Sequence, residues 1–473
     1  MNRHRWSPCG RSLAALAMAL FLLHVAPVQA EPPACPAEVV TCCDISGVSS
    51  SAPDRRLQMG LQIWLENADA VARRLRELRP TAVRYSGGPN WRRAPTLDSN
   101  ADYEAVRRYV VDALEKEAAQ VRKQTASLKE IFDGLGAEAH FVIWEPPPTK
   151  AEASEPSRAP DKRTLPDAAV PVTAMFYVAL LDELRRRGYP IDVVELSNEP
   201  DGGWNINIPP ARYLKLVTET RRQAKAHGVT LPRIAGPGVS NISALQRYFA
   251  DPALAKGLVG SVDLVSVHAW DDRLNRDTVA EARNARRQLD KFGYHKAILV
   301  SEFALTFVGP TDRGRGIGAN RRAPEAISNQ PSYAAKTLAL ALELAADGYG
   351  PLLYWELSDT SWGKASYGLY NERGEPRPAL EPWRNLSRIA RQADRVRVVP
   401  LVPNVIFGLV RDDKIAAIAV VNASAKPLGI AIRENLDVAA SLQRQQGKLA
   451  DCTGGAHGTK SLQPNGIAVL ELN

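Results

Sequence analysis

Histidine and cysteine are scarce in this chain, at seven and five among 473 residues. The histidines are dispersed, no HExxH motif occurs, and no Cys/His spacing has the form of a zinc site. A zincin-type hydrolase is therefore excluded, and no catalytic metal or other cofactor is expected. Beyond the first thirty residues no apolar run is long enough to cross a bilayer, and no solenoid-type repeat is present. Charge of either sign is not in large excess: 60 Lys and Arg against 52 Asp and Glu give a formal net charge of +8 with histidine neutral. The basic residues are scattered, as in Arg185-Arg186-Arg187 and Arg221-Arg222. That distribution suits solvated helix faces and not a nucleic-acid footprint.

What stands first is a targeting segment. Arg3, His4, Arg5 and Arg11 make a basic start, an apolar run follows from Leu13 to Leu23, and Val28-Gln29-Ala30 offers small residues for cleavage. The alternative is a membrane anchor, but a run of 11 residues is short for spanning and Pro27 lies just beyond it. Residues 1–30 are expected to be a signal peptide, and the mature protein to be secreted or periplasmic with no membrane span. Loss of Arg3, Arg5 and Arg11 would leave 57 basic against 52 acidic side chains, a net of +5. Cys9 would leave with them. Cys35, Cys42, Cys43 and Cys452 remain, an even number that permits two disulfides in an oxidising compartment. A bridge from the first three to Cys452 would tie the ends together, although the pairing is not legible.

Residues 31–56 are rich in Pro, Cys and Ser and read as an irregular N-terminal segment. From residue 57 a short apolar run alternates with a helix-period segment. The runs are Leu57–Trp64, Thr81–Ser86, Ala139–Glu145, Asp192–Ser197, Arg233–Gly236, Asp263–His268, Ala297–Glu302 and Pro351–Glu356. Amphipathic stretches between them include Asn67–Leu78, Ala101–Phe132, Val172–Arg187, Pro210–His227, Val279–Phe292 and Tyr333–Asp347. Eight such units predict an α/β chain forming a (β/α)₈ TIM barrel over residues 57–393. A last helix near 381–393 closes it. Residues 394–473 then read as five short strands without a long helix, a small C-terminal β-sandwich domain. The stretch Pro146–Asp167 has almost no bulky apolar residue and is expected as an exposed loop at the barrel mouth, either disordered or substrate-shaping.

The chemistry of such a barrel belongs at the C-terminal ends of its strands. Strand two ends at Arg84-Tyr85-Ser86-Gly87-Gly88, strand three at Trp144-Glu145, strand four at Ser197-Asn198-Glu199-Pro200. Strand six ends at His268-Ala269-Trp270, strand seven at Ser301-Glu302-Phe303, strand eight at Tyr354-Trp355-Glu356. Carboxylates, indoles and hydrogen-bonding groups in this mixture suit a sugar, whose ring faces stack on aromatics and whose hydroxyls need polar partners. Strands four and seven face each other across an eight-stranded barrel. Glu199 and Glu302 can therefore meet although they are distant in sequence, and two carboxylates flanking one bond can hydrolyse a glycoside.

On Glu195-Leu196-Ser197-Asn198-Glu199-Pro200 together with Ser301-Glu302-Phe303, the sequence resembles the clan A glycoside hydrolases, over about residues 57–385. It is most like family 39, from Tyr354-Trp355 and Ser358-Asp359, with features of families 30 and 79. Arg84-Tyr85-Ser86-Gly87-Gly88 is similar to strand two of families 39 and 79, and a trailing β-domain occurs in families 30, 39 and 79. Tyr367-Gly368-Leu369-Tyr370 with Pro378 resembles the end of several such barrels, Arg377 standing where Lys is usual. The resemblance implies a retaining double displacement with Glu199 as acid/base, Glu302 as nucleophile and Asn198 on the sugar's 2-hydroxyl.

Several neighbours carry two readings each. Arg84 is placed either to orient the nucleophile or to make a structural salt bridge. His268 is either a group beside the nucleophile or a satisfied core histidine. Trp355 is expected as a stacking platform, and Trp144, Trp204 and Trp270 as subsite walls or core. Glu145 and Glu356 are candidates for sugar hydroxyls, whereas Glu195 reads as a buried structural carboxylate. Arg313, Arg315, Arg321 and Arg322 follow strand seven, either an overhang for an anionic glycan or a solvated loop. The expected partner is an oligo- or polysaccharide, with an exopolysaccharide open. A transglycosylase and a non-catalytic glycan-binding barrel are the competing functions.

Overall fold

The computed structural model describes residues 41–44, 56–154, 163–202, 204–271, 276–305, 325–359, 367–392, 396–402, 406–411, 414–423, 428–433, 461–462 and 465–471. Strand β1 (Thr41–Asp44) precedes eight strands that close a parallel barrel in sequence order. These are β2 (Met59–Gln62), β3 (Ala82–Tyr85), β4 (Glu138–Val142), β5 (Val193–Glu195), β6 (Arg233–Val239), β7 (Leu264–Asp271), β8 (Ile298–Leu305) and β9 (Tyr349–Tyr354). They match the eight predicted runs. Such strands carry helices on one face and the barrel lumen on the other, so β2, β3, β8 and β9 are buried along their whole length.

Strand periodicity of two sets the interior in layers. Ala82, Val193, Ala235, Leu299 and Leu353 form a small apolar layer inside the barrel. Gly60 belongs to it because nothing larger fits: a Cβ there would come 2.1 Å from Leu353 Cδ2 and 2.7 Å from the Ala82 carbonyl. Two residues further along the same strands the layer turns polar, with Gln62, Arg84, Glu195, Ser266 and Ser301, all buried.

The amphipathic stretches form the surrounding helices with shifts of a few residues, but three differences stand out. Ala101–Phe132 is not one helix. It breaks at Glu117 into Tyr103–Lys116 and Ala118–Phe132, and the first is capped by Asp102 accepting from the Ala105 amide at 2.8 Å. Helices Ile242–Tyr248 and Pro252–Ser261 were not anticipated, yet each has a visible start signal. Asn241 and Asp251 cap them, and Pro252 occupies the first turn. The stretch after strand three is also less exposed than expected. Pro146, Pro147 and Thr149 are buried and Lys150–Ser154 is helical, because Arg163 folds back to bond Glu145, Glu152 and the Pro146 and Pro147 carbonyls.

After helix Leu380–Gln392, β10 (Arg397–Val402), β11 (Ile406–Arg411), β12 (Lys414–Val421) and β15 (Ile467–Glu471) form a four-stranded antiparallel sheet. It rests on helices Pro331–Ala346 and Leu380–Gln392, and Phe407, Leu409, Ala419 and Val421 join the same apolar core as the barrel. A second small sheet joins β1 to β13 (Leu428–Arg433) and β14 (Ser461–Leu462). The N-terminal segment is thus not wholly irregular: Thr41 to Asp44 pair in parallel with Ile430 to Arg433. The two ends of the chain are tied by strand pairing. The signal segment, Cys35, Cys452, the side chains of Cys42 and Cys43, and the arginine loop Arg313–Arg322 lie outside the described residues. No helix among the described residues is long and apolar enough to cross a membrane.

Gly60→Ala is expected to destabilise the protein by about 1–3 kcal/mol, because the added methyl meets main chain as well as Leu353. Urea unfolding followed by circular dichroism reads it, and an unchanged midpoint would refute the tight layer.

Candidate active site

The polar layer is organised by one side chain. Arg84, 1% exposed, donates through Nε to Glu195 Oε2 at 2.9 Å and through Nη1 to Gln62 at 3.0 Å and Glu302 Oε1 at 2.6 Å. Its Nη2 donates to Asn198 Oδ1 at 2.8 Å. Glu195 also accepts from Ser266 and Ser301 at 2.7 and 2.8 Å. Arg84 therefore does both things the sequence left open: it bridges to a structural carboxylate and it orients Glu302.

Two local irregularities turn the outer carboxylates inward. Val267 pairs with Val300 but His268 pairs with Glu302, so the register slips by one residue at Ser301. The bulge lets Ser301 and Glu302 both face the lumen, which a regular strand forbids. On β5's continuation Glu199 has φ of 47°, the left-handed region, at a cost of about 1–2 kcal/mol for a residue with a Cβ. Its amide is held by the Gly238 carbonyl at 3.0 Å.

The result is a compact trio. His268 Nδ1 lies 2.9 Å from Glu199 Oε1 and 3.4 Å from Glu302 Oε2. One atom from each of Glu199, His268 and Glu302 falls within 4.8 Å of the other two. Three such ligands could also surround a divalent cation, but Arg84 occupies one oxygen of Glu302 and would repel a second cation. Glu199 Oε2 accepts from the indole N–H of Trp204, and Asn205 donates to the Asn198 carbonyl at 2.9 Å.

Three buried carboxylates, Glu195, Glu199 and Glu302, face one permanent cation, so the site must bind protons. Burial alone would lower the His268 pKa, but the carboxylates of Glu302 and Glu199 outweigh it and raise it. His268 Nε2 has no hydrogen-bond partner among the described residues, which leaves Nδ1 as its bonded edge. Burial pushes Glu302 up despite the pull of His268 and Arg84. Burial pushes Glu199 up too, but His268 and Trp204 prevail and hold it below the usual range. Glu195, buried but paired with Arg84, is held low.

Around the trio stands an aromatic wall. Trp64 and Trp144 stack at 6.3 Å, and Trp355 meets Trp64, Trp144 and Trp270 edge-on at 5.6, 6.3 and 6.0 Å. A cavity of about 580 Å³ runs beside it, lined by Trp64, Trp144, Arg92, Lys123 and Asn205 among others. The Trp144 carbonyl accepts from the amide of Asn198, the neighbour of Glu199, at 3.3 Å. Both carboxylates expected near sugar hydroxyls have protein partners. Glu356 is 2% exposed and bonded to the Trp64 indole, and burial lifts its carboxyl to about 8. It supports the wall through that bond. Glu145 is engaged by Arg163 and Arg92. Sequence alone assigns no role to Gln62, Ser266 or Ser301 because a polar side chain inside a barrel strand has no signature of its own. Trp64 ends the first predicted run and was within reach.

Arg84→Met is expected to cost about 3–5 kcal/mol near neutral pH, since Glu195 and Glu302 would keep buried charge without a partner. Glu195 has a depressed pKa in the folded protein, so its stabilisation exists above the unfolded value and is lost as pH falls. The deficit of the variant should therefore shrink below about pH 4. Unfolding curves at both pH values read this, and a pH-independent deficit contradicts the ionic role.

Neither a protein-family model nor a curated protein matches the sequence. Solved structures do match in fold. A family 39 glycoside hydrolase from Bacteroides cellulosilyticus WH2 superposes with a TM-score of 0.57 at 14% identity, over 89% of this chain and 82% of that one. A family 39 enzyme from Xanthomonas axonopodis pv. citri gives 0.53 at 14% identity, over 95% and 100%. A family 30 subfamily 8 xylanase from Clostridium acetobutylicum gives 0.53 at 14% identity, over 91% and 99%. The chain has the (β/α)₈ barrel fold of these clan A glycoside hydrolases.

Proposed function

We propose that the protein is a retaining glycoside hydrolase that acts outside the cytoplasm on an oligo- or polysaccharide. The observation that carries this reading is the pair of carboxylates, Glu199 and Glu302, with oxygens within 4.8 Å across the barrel mouth. Oxygens that close favour the shorter carboxyl separation of retaining enzymes, about 5–5.5 Å between groups, over the about 6.5–9.5 Å that inverting ones need to seat a water. The fold relatives, among them a xylanase and family 39 hydrolases, support the substrate class. The leader-like first thirty residues support export.

Glu302, oriented by Arg84, attacks the anomeric carbon as the glycosidic bond to the leaving oxygen breaks. Glu199 gives its proton to that oxygen, and a glycosyl ester forms on Glu302. Glu199 then takes a proton from water, which attacks the anomeric carbon and releases Glu302, so configuration is retained. The proton that Glu199 needs is stored next to it. Transfer from His268 Nδ1 across the 2.9 Å contact leaves a neutral imidazole and a protonated acid with no change in the proton count of the trio. Asn198, fixed by Arg84, is placed for the 2-hydroxyl, and Trp144 and Trp355 for ring stacking.

Glu302→Gln is expected to lower kcat by about 10³-fold or more on any glycan the wild type cleaves. Glu199→Ala should lose about 10²–10⁴-fold on unactivated glycans, retain formation of the glycosyl ester from dinitrophenyl glycosides, and recover turnover with azide. A panel of dinitrophenyl glycosides and of hemicelluloses and bacterial exopolysaccharides finds the substrate. NMR of the first-formed anomer reads the stereochemistry, and an inverted product ends the retaining mechanism. Equal binding by wild type and Glu302→Gln without turnover would favour a lectin-like barrel. Transfer of the sugar to an added acceptor in preference to water would favour a transglycosylase.

The pH profile of kcat/KM should be a bell. Glu302 must be ionised and its pKa is raised, so activity falls with decreasing pH at a value above about 4.3. The proton shared by His268 and Glu199 must be present and the His268 pKa is raised, so activity falls with increasing pH at a value above about 6.5. An alkaline limb below that value contradicts the shared proton.

A further inference from the structure

Resting on the glycosidase reading, one side chain in the site remains without a role. Trp204 is 56% exposed, the one large hydrophobic side chain that stands out among the described residues, and yet its N–H is spent on the buried acid/base. Both oxygens of Glu199 are thereby engaged, Oε1 by His268 and Oε2 by Trp204. Protonation of a leaving oxygen requires one of them to be vacated. His268 is fully buried and cannot withdraw, whereas the Trp204 ring stands in solvent. The oxygen that reaches the substrate is therefore Oε2.

The loop that carries Trp204 is anchored on both sides of it. Gly202 donates to the Glu199 carbonyl at 2.9 Å, Ile208 to the Pro200 carbonyl at 2.8 Å, and Asn207 exchanges bonds with Arg163 and Leu165 at 2.9 and 3.0 Å. The ring itself lies directly on Gly202, where a Cβ would come 2.5 Å from Trp204 Cε2. These bonds hold the described backbone on either side of Trp204, and its exposed ring is the part of the contact that a ligand can reach.

We infer that Trp204 couples recognition of the leaving group to the acid/base. Its exposed ring stacks the sugar on the leaving-group side, and its N–H bond to Glu199 is exchanged for the bond between Glu199 and the glycosidic oxygen. A bond from an indole N–H favours an ionised acceptor, so the resting contact belongs to the carboxylate form, which is the base of the second half-reaction. When the leaving sugar departs, water takes its place against Oε2, and the indole returns once turnover is complete and the proton has passed back to His268. The leaving group is then a sugar large enough to cover an indole, and not a small alcohol. Trp204 is a positioning residue for Glu199, alongside His268, Arg84 and the opposing charge of Glu302.

The test compares Trp204→Phe, which keeps a stacking face and loses the N–H, with Trp204→Leu, which loses both. For Trp204→Phe, removal of a donor to the carboxylate raises the pKa of Glu199, so the alkaline limb of kcat/KM should move up by about 0.5–1 pH unit, with KM for oligosaccharide little changed. Trp204→Leu should show the same shift and, in addition, about tenfold lower kcat/KM on an oligosaccharide cleaved by the wild type. Both variants should keep near wild-type glycosylation rates on dinitrophenyl glycosides, whose leaving group needs neither acid nor platform. An unmoved alkaline limb in Trp204→Phe, or equal losses on both substrates in Trp204→Leu, overturns the inference. Wild type inactive on every glycan would instead sink the glycosidase reading on which it rests.

Discussion

A single guanidinium holds the barrel interior and its mouth together. Arg84 spends its donors on Glu195 below, Gln62 beside it, and Asn198 and Glu302 above. A buried ion pair by itself is weak evidence of stability, since desolvation offsets much of the attraction. What this arrangement secures is geometry. The planar fork fixes the directions in which its two carboxylates and its two amide acceptors lie, and three of those four groups, Glu195, Asn198 and Glu302, belong to β5, its continuation and β8, which carry Glu199 and Glu302. Lysine, with one point charge, could not hold four acceptors at set angles. The same logic explains Arg377 at the end of the barrel, where lysine is usual. It grips Asp359 through two nitrogens and the Gly368 carbonyl through one of them, pinning the segment that follows strand eight.

That constraint has an electrostatic consequence. With Arg84 bridging Glu195 and Glu302, Glu199 is left with His268 as its nearest source of positive charge, and His268 also faces the second oxygen of Glu302. Burial works against every charged form here, so the trio favours the arrangement with the fewest uncompensated charges. One mobile proton between imidazole and carboxylate meets that demand. The site is then poised by the number of protons it holds, and the proposed hydrolysis needs one group charged and one neutral at the same pH. Trp204 adds to the balance from the solvent side, where substrate can displace it.

Much of this was legible in the sequence, and the reason is periodicity. Eight apolar runs alternating with amphipathic segments leave few architectures open, and in a closed barrel the end of each run names the residues at the mouth. Arg84, Glu199, His268, Glu302 and Trp355 were put at the mouth that way. The errors share a cause too. The break at Glu117 has no glycine or proline to mark it. The burial of Pro146 and Pro147 depends on Arg163 reaching back, a contact that composition cannot show. The bond between the Trp64 indole and the Glu356 carboxyl joins residues far apart in sequence and is equally invisible to it. The pairing of Thr41–Asp44 with β13 joins segments at opposite ends of the chain, beyond the range of any local pattern.

The features that escaped periodicity are also the ones that make the site. A regular β8 would send Ser301 and Glu302 to opposite faces, and one of the two bonds at stake, Ser301 to Glu195 or Glu302 to Arg84, would be lost. A regular continuation of β5 would not turn the chain at Glu199 toward His268. Both departures from ideal geometry cost free energy locally, and both sit one layer above a close-packed apolar girdle that leaves no room even for a methyl at Gly60. Rigid packing below allows strained placement above, because the strain cannot relax by moving the strands. The chemistry proposed for this protein therefore depends less on having two glutamates than on the bulge and the left-handed residue that aim them at one point.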